Sequence, residues 1–414
     1  MKILFLCTHP GQGTGYGRVA NKITNYLADQ PGVEVVFYAF QNYRGQVIED
    51  RFIDPRIKIY DAFEIDPESP KGFGDKGILP CAEKEKPDVL FLYNDLMVTT
   101  AILDILPDIP TWVYLDVVYP WERPSVMLRL RENKNVKRLW TFLECWREHL
   151  VNDYGFDKEM VRVMKHGVDF ERFRDIDQDV AKNLCGFKAD DFIVLNMNRN
   201  SYRKGYDITI RAFFKFLAMN DFNPRLKLYL GCVGTSDDGY DIDELITTEC
   251  LRQRLDVSVV TKHIFASPKP LLMSDETVNL LYNAADVGLN TCCGEGFGLT
   301  NVEHGYFNRH QIVSGVLAFK ETLGAHATII EPIGTKHMSN FDKHNGVIML
   351  FEAMDFAMAL HECFHKKIPK PDRLREHVVK HYNWETILSE ELTLDERGDV
   401  HGTLGGGEDA PVRV

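Results

Sequence analysis

The sequence predicts an α/β protein of two doubly wound domains facing a central cleft, on three observations. At 414 residues the chain exceeds the size at which one hydrophobic core usually stops growing. Short apolar runs alternate with helical stretches through both halves, the pattern of parallel strands with crossover helices. A glycine-rich or polar turn follows the leading strand of each half, at the strand ends where doubly wound sheets bind ligands.

The first series opens with a buried strand, Lys2 to Cys7, then a glycine-rich turn and an amphipathic helix over Arg18 to Ala28. Val33 to Ala39, Val89 to Tyr93 and Thr111 to Leu115 continue it as strands. Asp66 to Gly77 holds Pro67, Pro70, Gly72 and Gly74 and reads as a mobile loop. A second series runs through Phe192 to Asn196, Lys227 to Gly231, Val257 to Phe265, Val287 to Asn290 and Gln311 to Ser314. The connection near Lys165 to Asp190 carries the hinge. A last helical pattern covers Trp384 to Leu392, and the tail from His401 reads as disordered.

Composition narrows the partners. Hydrophobic residues make up 44% and charged residues 26%, ordinary for a globular protein. A net charge of −13 disfavours nucleic acid and anionic membrane surfaces. No run approaches the roughly 20 apolar residues of a membrane span. The apolar start, Met1 to Cys7, is too short for a signal peptide. Nine cysteines without a CxxC pair read as reduced thiols. A cytoplasmic protein is expected, with room for a homodimer.

Three segments carry chemistry, and a fourth reads as structural. Glu295 and Glu303 stand with seven residues between them, after the strand Val287 to Asn290 and across the turn Gly296, Phe297, Gly298, Leu299. A strand, a glycine turn and a helix start present backbone N–H groups that suit a phosphate, and two carboxylates beside them suit a sugar joined to it. An acidic first helical turn explains a lone glutamate as well. Arg199 and Lys204 follow the first strand of the second half, where two cations neutralise a departing diphosphate or form a solvated basic loop. Arg203 reads as a bystander. Gly15, Tyr16 and Gly17 follow the first strand of the chain, where glycines let a ligand approach the backbone. Gly15 to Ala20 fits a relaxed dinucleotide fingerprint, but the next strand runs into Phe40, Gln41 and Asn42 with no acidic residue for a ribose, so NAD is not expected. Asp237 to Glu244 contains a DxD pattern that reads better as a polar turn and a capped helix than as a metal site.

Together these segments resemble family 4 of the glycosyltransferases, retaining enzymes with the GT-B fold of two Rossmann-like domains. The resemblance is strongest over about residues 160 to 320 and collinear elsewhere. It rests on Glu295-Gly296-Phe297-Gly298-Leu299 with Glu303, on Arg199 with Lys204-Gly205, and on Gly15-Tyr16-Gly17-Arg18. It also includes His166-Gly167-Val168-Asp169, where His166 replaces the usual Asn, and His381 to Glu385.

The resemblance implies a domain division of 1–165 on the acceptor side, a linker at 166–190, a nucleotide-sugar domain at 191–370, a helical segment at 371–400 that crosses back to the first domain, and the tail 401–414. It implies transfer of a hexose from a nucleotide diphosphate sugar to a hydroxyl of a glycan or glycoprotein, with no metal and no further cofactor. GDP-mannose is favoured on family frequency and UDP-hexoses come next. Glu303 would hold the ribose, Glu295 the sugar hydroxyls and Arg199 with Lys204 the diphosphate. Amides of Gly296 to Leu299 would complete the cradle, with Gly15, Tyr16 and Gly17 closing over it. Two positions depart from the pattern. Asp116 stands where the family often places His, and Asn308 where the helix after Glu303 usually ends in Gly. An epimerase or phosphorylase on the same fold, or a non-catalytic nucleotide-sugar-binding homologue, are the alternatives.

Overall fold

A computed structural model describes residues 1–42, 51–106, 108–266, 273–339, 344–366 and 373–394. The first sheet has seven parallel strands: β1 (Lys2–Thr8), β2 (Glu34–Phe40), β3 (Lys58–Asp61), β4 (Val89–Asp95), β5 (Thr111–Asp116), β6 (Val136–Thr141) and β7 (Val161–Val163), in spatial order β3-β2-β1-β4-β5-β6-β7. The second has six: β8 (Phe192–Asn196), β9 (Leu226–Leu230), β10 (Ile264–Ala266), β11 (Val287–Asn290), β12 (His310–Ser314) and β13 (Thr328–Ile330), in order β10-β9-β8-β11-β12-β13. Helices on both faces explain why the central strands are continuously apolar: Ile3 to Cys7 are fully buried. Strand order reverses between β1 and β4 and between β8 and β11. The crevices at those two switch points hold the ligand sites of such sheets.

The long central elements fall where the sequence places them. The first helix, Gly15–Asp29, starts earlier than expected because Thr14 caps it, its hydroxyl accepting the Gly17 N–H at 3.1 Å. Its face of Val19, Ile23 and Leu27 is buried.

Other stretches differ. Val257 to Phe265 is not a strand: Val257–Thr261 is helical, with Asp256 accepting the Ser258 N–H at 2.8 Å, and β10 begins only at Ile264. The cap and burial of Val260 override the β-branched run. Strands β3, β6, β7 and β13 escaped the periodicity; β6 carries Lys137 and Arg138 within it, and the other three are short. The breaker-rich loop holds a 3₁₀ turn at Pro70–Gly72 and a helix from Asp75. There the Ser69 hydroxyl accepts the Gly74 N–H at 2.8 Å, and the Tyr38 hydroxyl donates to the Gly74 carbonyl at 2.7 Å. An antiparallel hairpin, β14 (Gly334–Met338) and β15 (Gly346–Leu350), follows the second sheet. Asn308 takes the left-handed conformation, φ 51°, that a helix-terminating Asn tolerates.

The helix Trp384–Leu392 returns to the first domain, where the Trp140 indole donates to Glu391 at 3.1 Å and Arg162 lies 3.4 Å from the same carboxylate. On the way, the Val168 N–H donates to the Tyr382 carbonyl at 2.7 Å. The hinge is thus pinned by the chain's last segment. Gly167 is required there, because a Cβ would lie 2.5 Å from the Trp384 ring. The tail from His401 lies outside the described residues. Among the described residues no helix is long and apolar enough to cross a membrane. All nine cysteines are free thiols.

Gly167→Ala should lower unfolding stability by about 1–3 kcal/mol, the usual cost of overpacking. Denaturant melts of the two proteins check this, and equal midpoints would show that the Trp384 contact yields without cost.

Candidate functional site

Between the two sheets lies a cleft of about 670 Å³ lined by both domains. Its second-domain wall is made by the turn after β8 and the loop after β11. These are tied together: the Cys293 N–H donates to the Arg203 carbonyl at 2.9 Å, and the Thr291 hydroxyl to the Gly205 carbonyl at 2.8 Å. The tie brings Lys204 and Arg203 onto Glu295. Lys204 Nζ bonds one carboxylate oxygen, while Arg203 lies 3.4 Å from the other and donates to the Gly294 carbonyl at 2.9 Å. All three side chains are about nine-tenths buried. Burial alone would push the Glu295 carboxyl up, yet the adjacent Lys204 and Arg203 hold it at about 2.

Arg203 is therefore no bystander. A 3₁₀ turn at Tyr202–Lys204 points neighbouring cations at one carboxylate, which sequence spacing cannot show. Arg199 also lines the cleft, but on the rim, 61% exposed and 3.7 Å from Asp238. The DxD stretch is a turn and cap: Asp238 accepts from the Ser236 hydroxyl at 2.7 Å, and Asp241 from the Glu244 N–H at 3.1 Å. Among the described residues no group of three or more His, Cys, Asp or Glu is placed to hold a metal ion.

Gly296, Phe297, Gly298 and Leu299 line the cleft beside Glu295. Gly298, at φ 87°, caps the short helix Leu299–Gly305. Glu303 sits in that helix, buried behind the wall, where it accepts from Arg18 at 2.7 Å and from the Tyr282 hydroxyl at 2.9 Å. Arg18 comes from the first domain and bridges the cleft. Next to it, Arg51 and Arg172 converge on Asp275; burial, then Arg18, draws Arg51 down to about 10.

Gly15 and Tyr16 face the cleft from the first domain, whereas Gly17 packs inward against the Gln12 and His9 carbonyls. The Tyr16 hydroxyl donates to Asp116 at 2.7 Å. The second Asp116 oxygen is buried with no hydrogen-bond partner, so close to Gly296 that a Cβ there would lie 2.3 Å away. Burial pushes the Asp116 carboxyl up, opposed by Tyr16 and Arg203. His166 packs at a tilt against Phe142 and Phe297, ring centres 4.2 and 4.9 Å away. Burial, with Arg18 nearby, drops it to about 3, so it is neutral. The Tyr114 hydroxyl donates to the Met164 carbonyl and therefore accepts from His166 Nδ1 at 2.7 Å. Arg203, Tyr282 and the Arg18 bridge escaped sequence reasoning, since each depends on segments far apart in the chain.

No family model matches this chain. It is 30% identical over 155 residues to D-inositol 3-phosphate glycosyltransferase 2 of Catenulispora acidiphila, covering 37% of this chain and 34% of that protein. It is 32% identical over 163 residues to D-inositol 3-phosphate glycosyltransferase of Acidothermus cellulolyticus, covering 38% and 34%. Each match spans about a third of the relative's length. Among solved structures, sucrose-phosphate synthase from Thermosynechococcus elongatus superposes with a TM-score of 0.66 at 16% identity over 94% of this chain and 96% of that one. Anabaena Alr3699/HepE in complex with UDP and glucose gives 0.64 at 15% identity, over 94% and 97%. The fold is GT-B, and the resemblance to glycosyltransferases is present in both sequence and structure.

In the unfolded chain Glu295 titrates near 4.5, and in the folded chain at about 2. Its contribution is fully present above pH 4.5 and is lost as pH falls toward 2, a difference of about 3 kcal/mol. Acid unfolding of wild type and Glu295→Gln should differ in slope across that window. Parallel curves would mean that the carboxylate is not held by its cations.

Proposed function

We propose that this protein is a retaining glycosyltransferase that moves a hexose from a nucleotide diphosphate sugar to an acceptor hydroxyl without a metal ion. The observation that carries the reading is Glu295, fixed by Lys204 and Arg203 on the cleft wall beside Gly296 to Leu299. As the anomeric carbon–oxygen bond breaks, negative charge collects on the diphosphate and positive charge on the flattened sugar. Lys204, Arg203 and Arg199 line the cleft, and in this reading they neutralise that charge in place of a metal. The incoming donor exchanges contacts already made: Lys204 turns from Glu295 to a phosphate oxygen, and Glu295 accepts sugar hydroxyls. Arg18 yields Glu303 to the ribose. Retention follows if the leaving diphosphate takes the acceptor's proton on the face it departs from.

Donor and acceptor follow from the relatives as hypotheses. GDP-mannose is the donor suggested by family frequency, and the HepE structure with UDP-glucose supports a UDP-hexose. The curated relatives are named for inositol 3-phosphate, which sets a phosphorylated polyol beside a glycan or glycoprotein as acceptor.

Lys204→Ala should lower the transfer rate about a hundredfold, the usual cost of one lost charge-stabilising contact. It also leaves the buried Glu295 with Arg203 as its remaining cation, costing on the order of 1–3 kcal/mol of stability. The double variant Lys204→Met, Glu295→Gln should recover stability without recovering transfer. Assays with UDP-glucose and GDP-mannose in EDTA, with the product anomer read by NMR, test the whole scheme. Full-rate transfer by Lys204→Ala, an inverted product, or loss of activity in EDTA would each refute part of it.

A further inference from the structure

Three arginines from separate parts of the chain gather beside Glu303. Arg51, in the segment before β3, donates from Nη1 to the Gln12 carbonyl at 2.6 Å and approaches Asp275 Oδ1 at 3.4 Å with Nη2. Arg172, from the hinge, bonds that same Asp275 oxygen. Arg18, from the first helix, bonds Glu303 at 2.7 Å. Burial first, and the Arg18 charge second, draw the Arg51 and Arg172 guanidiniums down from their ordinary values.

Three guanidiniums are thus set against two carboxylates, Asp275 and Glu303. The side chains of Arg18, Arg51 and Arg172 are only 16%, 8% and 12% exposed, so water does little to offset their mutual repulsion. Arg18 Nε and Arg172 Nε are buried with no hydrogen-bond partner. Asp169, close by in the hinge sequence, is held by Lys22 at 2.7 Å. In a chain of net charge −13, this local excess of buried positive charge suits an anion from outside.

Arg18, Arg172 and Asp275 line the cleft, so an anion that enters it can reach them. Guanidinium forks match the oxygens of a phosphate. Asp275 Oδ1 marks where such an oxygen would sit, since it already takes two of the three forks. It also opens the helix Asp275–Ala284, at the end where negative charge is favoured.

We propose that Arg18, Arg51 and Arg172 form a binding site for a phosphate monoester, separate from the wall of Lys204, Arg203 and Arg199. The phosphate displaces Asp275 Oδ1 from Arg51 and Arg172, and the Asp275 carboxylate, 24% exposed, turns to water. Free inorganic phosphate and a phosphate carried on a polyol offer the same chemistry. The site stands apart from the donor reading, in which none of these arginines holds the diphosphate.

Calorimetry on the full chain with inorganic phosphate, inositol 3-phosphate, inositol and UDP tests this. Wild type should bind phosphate, and Arg51→Gln and Arg172→Gln should each weaken it about tenfold, the low end of what a charged hydrogen bond contributes. Asp275→Asn should bind phosphate more tightly than wild type, because the resident carboxylate no longer competes. A cluster that only ties the domains together would not respond so, and Asp275→Asn keeps all three arginines, so its result decides even if an arginine variant fails to fold. The Lys204→Met, Glu295→Gln double variant should bind phosphate as wild type does. Tighter binding of inositol 3-phosphate than of phosphate, with none of inositol, supports the site and assigns its phosphate to a substrate; equal binding of the two supports it as a site for free phosphate. Phosphate that fails to bind wild type, that binds the arginine variants equally well, or that is lost with Lys204 overturns the site. If UDP binds none of these proteins, the donor reading falls and this one stands.

Discussion

A carboxylate nearly sealed from water, Glu295, persists as a charge because Lys204 and Arg203 stand against it. Burying one ion alone costs several kcal/mol, so the loop after β11 and the turn after β8 are stable only when packed on each other. Backbone bonds between Cys293 and Arg203, and the side-chain bond of Thr209 to Thr291 at 2.6 Å, fix that packing. The same requirement preorganises the site. Two cations and an acceptor group are held within a hydrogen bond of one another at the carboxyl ends of β8 and β11, where a phosphate and a sugar hydroxyl can replace their mutual contacts.

The two domains meet across the cleft through apolar packing, as between Tyr119 and Ile348, and through several polar bonds. Arg18 reaches Glu303, the Trp146 indole donates to the Gly296 carbonyl at 2.9 Å, and Glu321 accepts the Glu144 and Cys145 N–H groups at 2.9 and 2.8 Å. Polar junctions of this kind are compatible with relative domain motion. Each bond can be exchanged for one to water or ligand at little net cost. On the far side, Trp384 against Gly167 and Glu391 beneath Trp140 form a packed strap.

Much of this was legible before any coordinates. Strands β1, β8 and β11 are buried on both faces, so their apolar runs are unbroken and stand out. The glycine turns after β1 and β11 mark both cleft walls, and Trp384 to Leu392 reads correctly as a helix because its period and its Asn383 cap agree. Strands at or near the sheet edges were missed because partial exposure admits charges such as Lys137 and Arg138. Val257 to Thr261 misled because a single capping aspartate outweighs strand propensity in a short segment.

The two-domain fold, the long central strands and the glycine-rich turns after β1 and β11 are legible from the amino acids alone, because each is written in neighbouring residues. It took the packed fold to turn Arg203 inward, to set Arg18 on Glu303 across the cleft and to carry His344 on a hairpin to Glu122. Those pairings join residues as many as 285 positions apart. Their partners are chosen by the need to match buried charges in three dimensions, which no local pattern records.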